Sequence, residues 1–279
     1  MKRANIAGFI VLVMVFATPL LAQVEVPRVS PKAAVMQTVG LTEIEIVYSR
    51  PGVKERQIWG ELVPWGELWR TGANEATTIE FSHDVSVEGV PVPAGKYALF
   101  TIPGEEAWTV ILNSDWDQPG TSRYDEEKNV ATIAVSPESG PWQEWMAFHF
   151  PDLSDDSATI ELAWKETRIP FQIEVDTQSI VMEEIREELA ELGRWVDPYR
   201  AASYAYSEGL VNDEALVWID RSILLQETWW NLSLKARMLA EIGEKDRAIE
   251  VAERALEVAE AMENPPNTAS LEEEMAEWK

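Results

Sequence analysis

The stretch Tyr48–Ser82, YSRPGVKERQIWGELVPWGELWRTGANEATTIEFS, constrains this chain more than any other. It lies between two strand-like runs, yet the connection is about 28 residues long, against roughly 2–5 for a hairpin loop. Connections of that length are usually functional or disordered. Composition argues against disorder, because Trp59, Trp65 and Trp69 all lie within the stretch and disordered segments are poor in aromatics. The fold must therefore hold an ordered, aromatic-rich loop as a built surface.

Around that loop, residues from about Pro31 to Val175 read as short strands separated by turns. Thr42–Tyr48 sets Ile44, Ile46 and Tyr48 against Glu43 and Glu45, the alternation of a half-buried strand. Val85–Val87 and Val90–Val92 flank Glu88-Gly89 as a hairpin does. Pro93-Ala94-Gly95 leads into Lys96–Ile102, and Pro103-Gly104-Glu105 leads into Trp108–Asn113. Val130–Val135, Glu144–Phe150, Ala158–Trp164 and Arg168–Val175 follow, and Pro170 marks the last of these as an edge or bulged strand. About ten such strands predict an antiparallel β-sandwich of the jelly-roll kind.

At Asp176 the composition changes to helix formers, so the predicted class is α+β with two domains. The β domain spans 30–175, an all-α tetratricopeptide-like domain spans 178–263, and 264–279 is an acidic tail. Ser179–Gly193 carries Ile180, Val181, Ile185, Leu189 and Leu192 at helical spacing. Asp197-Pro198 reads as an N-cap followed by proline at the first helical position. GLVNDEALVWIDRSILL (Gly209–Leu225) aligns with IGEKDRAIEVAERALEV (Ile242–Val258), matching Ala215 with Ala248 and Ser222 with Ala255. The offset is close to the tetratricopeptide period of about 34 residues. Asn231–Ile242 reads as the first helix of the second unit, and Leu271–Lys279 as a short capping helix or a frayed end. So few units cannot bury a solenoid core alone, so they are expected to pack with Ser179–Gly193.

YSRP, WGELVPWGELWRTGANEATT, VPAGKYALFTIPG with AWTVILN, and DSATIELAW together resemble a family of secreted bacterial proteins, the domain of unknown function 2911. The resemblance covers about residues 30–175 and implies an extracytoplasmic β domain. The C-terminal third is similar to the helical tail that some members carry. The family has no established activity to transfer, so function has to be argued from residues.

The first 22 residues read as a cleaved secretory signal, with an uncleaved anchor as the competing reading: Lys2 and Arg3, then the apolar run Ile6–Ala17, then Pro19 and Ala22. The protein is accordingly expected in the periplasm or envelope, with no membrane span after cleavage. No cysteine is present, which excludes disulfides, lipoprotein acylation and thiolate metal sites. A net charge of −26, spread over both halves, argues against nucleic acid or an anionic membrane as partner.

Within the long loop, Arg50, Arg56, Arg70, Asn74 and Glu75 are the polar candidates for a small or extended ligand. Arginine's planar fork suits carboxylate or phosphate. The competing reading pairs these arginines with Glu55, Glu61, Glu67 or Glu75 as staples. Trp59, Trp65 and Trp69 offer a stacking wall or, alternatively, the loop's own core. His83 and His149 are the only histidines, and Ser82-His83-Asp84 is not a triad, because strand neighbours face opposite sides. The Asp152–Ser157 turn lacks the order of a calcium loop. No metal and no cofactor is implied.

Two functions remain open. One is a non-enzymatic binding protein, with a ligand at the Tyr48–Ser82 block and a protein partner on the helical repeats. The other is an envelope hydrolase acting on a glycan or peptide. There Glu75 or an acid from Asp115–Glu127 would serve as base, with Arg70 and Asn74 stabilising charge. Its signature would be a pocket where Glu75 meets Asn74 and an arginine, with a desolvated carboxylate.

Overall fold

The computed structural model describes residues 26–189 and 193–279; the expected signal segment lies outside them, as does part of the expected helix Ser179–Gly193. In chain order the strands are β1 (Lys32–Val39), β2 (Thr42–Ser49), β3 (Thr77–Phe81), β4 (Val85–Val87), β5 (Val90–Val92), β6 (Gly95–Ile102), β7 (Trp108–Asn113), β8 (Asn129–Val135), β9 (Glu138–Leu153) and β10 (Ser157–Glu174). They form two antiparallel sheets, one ordered β1-β2-β3-β6-β7-β8 and the other β5-β4-β10-β9. Six α-helices follow among the described residues, which makes the chain α+β.

The alternation read in Thr42–Tyr48 has its cause in packing. Ile44, Ile46 and Tyr48 are buried, whereas Glu43 and Glu45 point outward or sit half-buried. One continuous apolar cluster takes residues from both sheets, including Ile44, Ile79 and Leu112 from the first and Ile160, Leu162 and Phe171 from the second. In the β4–β5 turn, Glu88 and Gly89 both have positive φ (49° and 78°), the geometry a two-residue hairpin requires.

The C-terminal strand differs from expectation. The expected runs Ala158–Trp164 and Arg168–Val175 merge, up to Glu174, into one strand, β10, whose pairing with β9 slips near Glu161 and on both sides of Lys165. Lys165 takes φ 57°, so the chain bends through bulges rather than ending. Pro170 falls between the last β9 partner, Arg168, and the first β4 partner, Ile173, where no ladder bond needs its missing N–H.

The helices are α1 (Thr177–Leu189), α2 (Val196–Ser207), α3 (Asp213–Leu225), α4 (Trp229–Glu241), α5 (Lys245–Glu260) and α6 (Ala269–Trp278). Asp197 is not the N-cap of α2, which already begins at Val196. Instead Asp197 occupies the first turn, paired with Arg194 at 3.0 Å, and Pro198 is tolerated there because first-turn N–H groups need no helical partner. Asn212 caps α3, and a Thr228–Asn231 capping box opens α4. The matched residues Ala215, Ala248, Ser222 and Ala255 are all fully buried. Leu271 and Met275 of α6 are buried in one cluster with Ala252, Ala255 and Ala259 of α5. No helix among the described residues is long and apolar enough to cross a membrane.

Candidate functional site

The connection from β2 to β3, Arg50–Ala76, ties the two sheets together. Its first part docks on β9: Val53 N donates to Glu144 O (2.8 Å), Met146 N to Pro51 O (3.0 Å) and Lys54 N to the Glu144 carboxylate (2.9 Å). Its last part docks on β6, where Trp69 and Thr101 exchange both backbone bonds (2.7 and 2.9 Å). Between these anchors Gly66 takes φ 72°, and beyond the second anchor Gly72 passes so close to Ser49 O and the Thr77 hydroxyl that a Cβ would sit 3.1 and 3.0 Å away.

Trp59 and Trp69 are the loop's core. Trp59 lies within 4.9–6.3 Å, centroid to centroid, of Trp65, Trp69, Trp108 and Trp164, and its indole N–H donates to the Thr167 hydroxyl at 2.8 Å. Trp69 stacks on Trp164 at 5.9 Å and donates to Gly72 O. Since Trp108 comes from β7 and Trp164 from β10, the cluster binds the loop to both sheets. Only Trp65, 38% exposed, keeps a substantial open face.

The three arginines differ in what they touch, and none pairs with a carboxylate among the described residues. Arg50 donates from Nε to Met146 O (2.8 Å), and Arg56 donates to Val53 O (3.1 Å) and Gly52 O (2.6 Å). These two are staples, but onto backbone carbonyls rather than onto Glu55, Glu61, Glu67 or Glu75. Arg70 makes neither kind of contact; its Nε is buried and has no hydrogen-bond partner among the described residues.

Arg70, Arg56 and Trp69 line a common cavity of about 270 Å³, with Lys54, Leu62 and Val63 on the same walls. Trp164 lines it too; it is 1% exposed, and its Nε1 is a second buried donor without a partner among the described residues. Next to Arg70, the buried Thr71 takes φ 53°, an uncommon conformation for a β-branched residue. Its hydroxyl lies 3.1 Å from that of Thr101, and its carbonyl accepts from Thr77 Oγ1 at 2.7 Å. Backbone strain held in place by neighbours in this way clusters at functional sites.

Glu75 is elsewhere. Arg28 binds it through both carboxylate oxygens at 2.9 and 2.8 Å, beside a second cavity, and Asn74 (φ 61°) donates to Ser30 O at 3.2 Å. Hydrogen bonding to Arg28 holds the Glu75 carboxyl below its ordinary pKa. Thus Glu75 faces Arg28, not Arg70, and that pairing makes it a weaker base than a free carboxylate. Among the described residues no group of three or more His, Asp or Glu side chains is arranged to hold a metal ion.

Sequence reasoning missed Trp164, Arg28, Lys54 and Gln118. Trp164 sits in a strand whose pattern signals only a core position, and Arg28 precedes the first strand. The sole usable signal was charge: cations near the loop in a strongly acidic chain.

Residues 30–173 match the family described as a protein of unknown function (DUF2911), and the chain belongs to that family. No curated protein and no solved structure matches it.

Proposed function

We propose that the cavity framed by Arg56, Trp69, Arg70 and Trp164 binds a small molecule carrying a carboxylate on an apolar body, within a non-enzymatic binding protein of the cell envelope. One observation carries this reading: two residues that line the same cavity, Arg70 and Trp164, each hold a buried donor, Nε and Nε1, with no partner among the described residues. Both groups only donate, so the missing partner is an acceptor. Each unsatisfied buried donor costs about 1–3 kcal/mol, which an acceptor would offset. A guanidinium adds preference for a planar anionic acceptor, and Leu62, Val63 and Trp69 suit an apolar remainder.

In this reading the two sheets are a sandwich of jelly-roll type, residues 1–22 are a cleaved signal, and α2–α5 are tetratricopeptide-like pairs that dock a protein partner. Binding is preferred over hydrolysis because both oxygens of Glu75, the leading candidate base, are taken up by Arg28, which weakens that carboxylate as a base.

The test is a thermal-shift series on the purified protein with acetate, benzoate, phenylacetate and succinate. A ligand bound only by the folded state stabilises it by about 2.7 kcal/mol at a concentration of 100 Kd. The expected result is a rise with at least one of these acids that disappears in Arg70→Leu and in Trp164→Phe. No rise with any of them, or a rise that survives both substitutions, would remove the proposal.

A further inference from the structure

The second cavity, about 300 Å³, has Glu75 and Arg28 on its lining and is built differently. Gln118, 3% exposed, lines it. Its Nε2 donates to Asp115 O at 2.6 Å and lies 3.5 Å from Asn113 Oδ1, leaving Oε1 buried with no donor among the described residues. Flipping the amide is no remedy, since it would turn that oxygen toward two acceptors. At the mouth, Trp116 is 45% exposed, with Lys96 Nζ 5.3 Å from its ring centroid.

The charges around this cavity are mixed. Arg28, Lys32 and Lys96 bring donors and Glu75 and Asp117 bring acceptors, with Arg28 paired to Glu75 and Lys96 paired to Glu80 at 2.9 Å, and Gln118 belongs to the same lining. A ligand with only acceptors leaves Gln118 unsatisfied and meets two carboxylates. A cation meets three positive groups. A neutral ring bearing hydroxyls satisfies both sets, because each hydroxyl donates and accepts, and its flat apolar face can lie on an indole.

We infer that this cavity is a second ligand site, independent of the carboxylate cavity, and that it takes a neutral saccharide unit stacked on Trp116 with a hydroxyl donating to Gln118 Oε1. The unpartnered Gln118 oxygen and the mixed rim carry this inference, and neither depends on Arg70 or Trp164.

The experiment is ligand-detected NMR on the full protein with glucose, galactose, mannose and N-acetylglucosamine, alongside glucuronate and glucosamine as charged relatives. At least one neutral sugar should bind, and more tightly than both charged relatives. Trp116→Ala, a substitution at an exposed position, should weaken that binding at least about tenfold. Arg70→Leu should leave it unchanged, which separates this site from the other cavity. Gln118→Leu should also abolish it, with near-ultraviolet circular dichroism showing that the variant is folded. If no neutral sugar binds, if a charged relative binds better, or if Trp116→Ala binds as well as the parent, the inference is wrong.

Discussion

Replacing Arg70 by Leu should stabilise the ligand-free protein, and replacing Arg50 by Leu should destabilise it. The two arginines stand at the ends of one loop and differ chiefly in what their Nε groups meet. Arg70 Nε is buried without a partner among the described residues, an arrangement that costs about 1–3 kcal/mol. Leucine removes that donor and retains much of the apolar stem; allowing for the lost methylene contacts, we expect a net gain of about 1 kcal/mol. Arg50 Nε instead donates to Met146 O at 2.8 Å, so its loss strands a carbonyl and costs about 1–3 kcal/mol. For a domain of this size 1 kcal/mol corresponds to about 3 °C in Tm. Each variant removes one positive charge, so the electrostatic background is matched, and working at about 0.15 M salt screens most of it. Urea unfolding followed by near-ultraviolet circular dichroism gives both values. Destabilisation of Arg70→Leu by more than about 1 kcal/mol would refute the reasoning, since Arg70 would then be a structural staple.

Trp59→Ala removes the centre of the indole cluster and its bond to Thr167, and should cost about 3–5 kcal/mol; retention of the parent's Tm would contradict the packing described. In the helices, Ala248→Glu places a charge at a fully buried position and should cost about 3 kcal/mol or more, so a variant with undiminished helical circular dichroism and Tm would sink this assignment. Stability should also fall in acid. Glu75, Asp176 and Glu214 have lowered pKa values, through Arg28, the Ser179 backbone N–H with its hydroxyl, and Arg186 respectively. Their contribution is fully present above the ordinary carboxylate pKa of about 4 and is lost as pH falls through the lowered folded values. Arg28→Gln should shrink that acid-dependent part, which pH-resolved unfolding would detect.

What the sequence makes legible here is local. The two-residue period of β2 is visible because one face is buried and the other carries glutamates, and the Glu88-Gly89 turn is visible because two adjacent residues must take positive φ. Long-range choices leave no such trace. Trp59 finds Thr167, 108 residues away, and Arg28 finds Glu75, 47 residues away; no spacing rule encodes either. The join of two expected strands into β10 depends on bulges at Lys165, whose side-chain identity gives no sign of positive φ. For the loop, composition located an ordered aromatic block with cations, while only the packing separates staples (Arg50, Arg56) from Arg70, whose Nε has no partner among the described residues. The cavity's second orphan donor, Trp164, looks like any core residue of a strand until the loop is folded over it.

The most direct test of the carboxylate cavity is the indole N–H signal of Trp164 in a nitrogen–proton correlation spectrum, assigned as the peak missing from Trp164→Phe. Titration with benzoate and phenylacetate should move that proton downfield as a hydrogen bond to the carboxylate forms, and Arg70→Leu should abolish the movement. An unmoved Trp164 signal under concentrations of these acids that raise the Tm would contradict the account, since binding would then occur elsewhere.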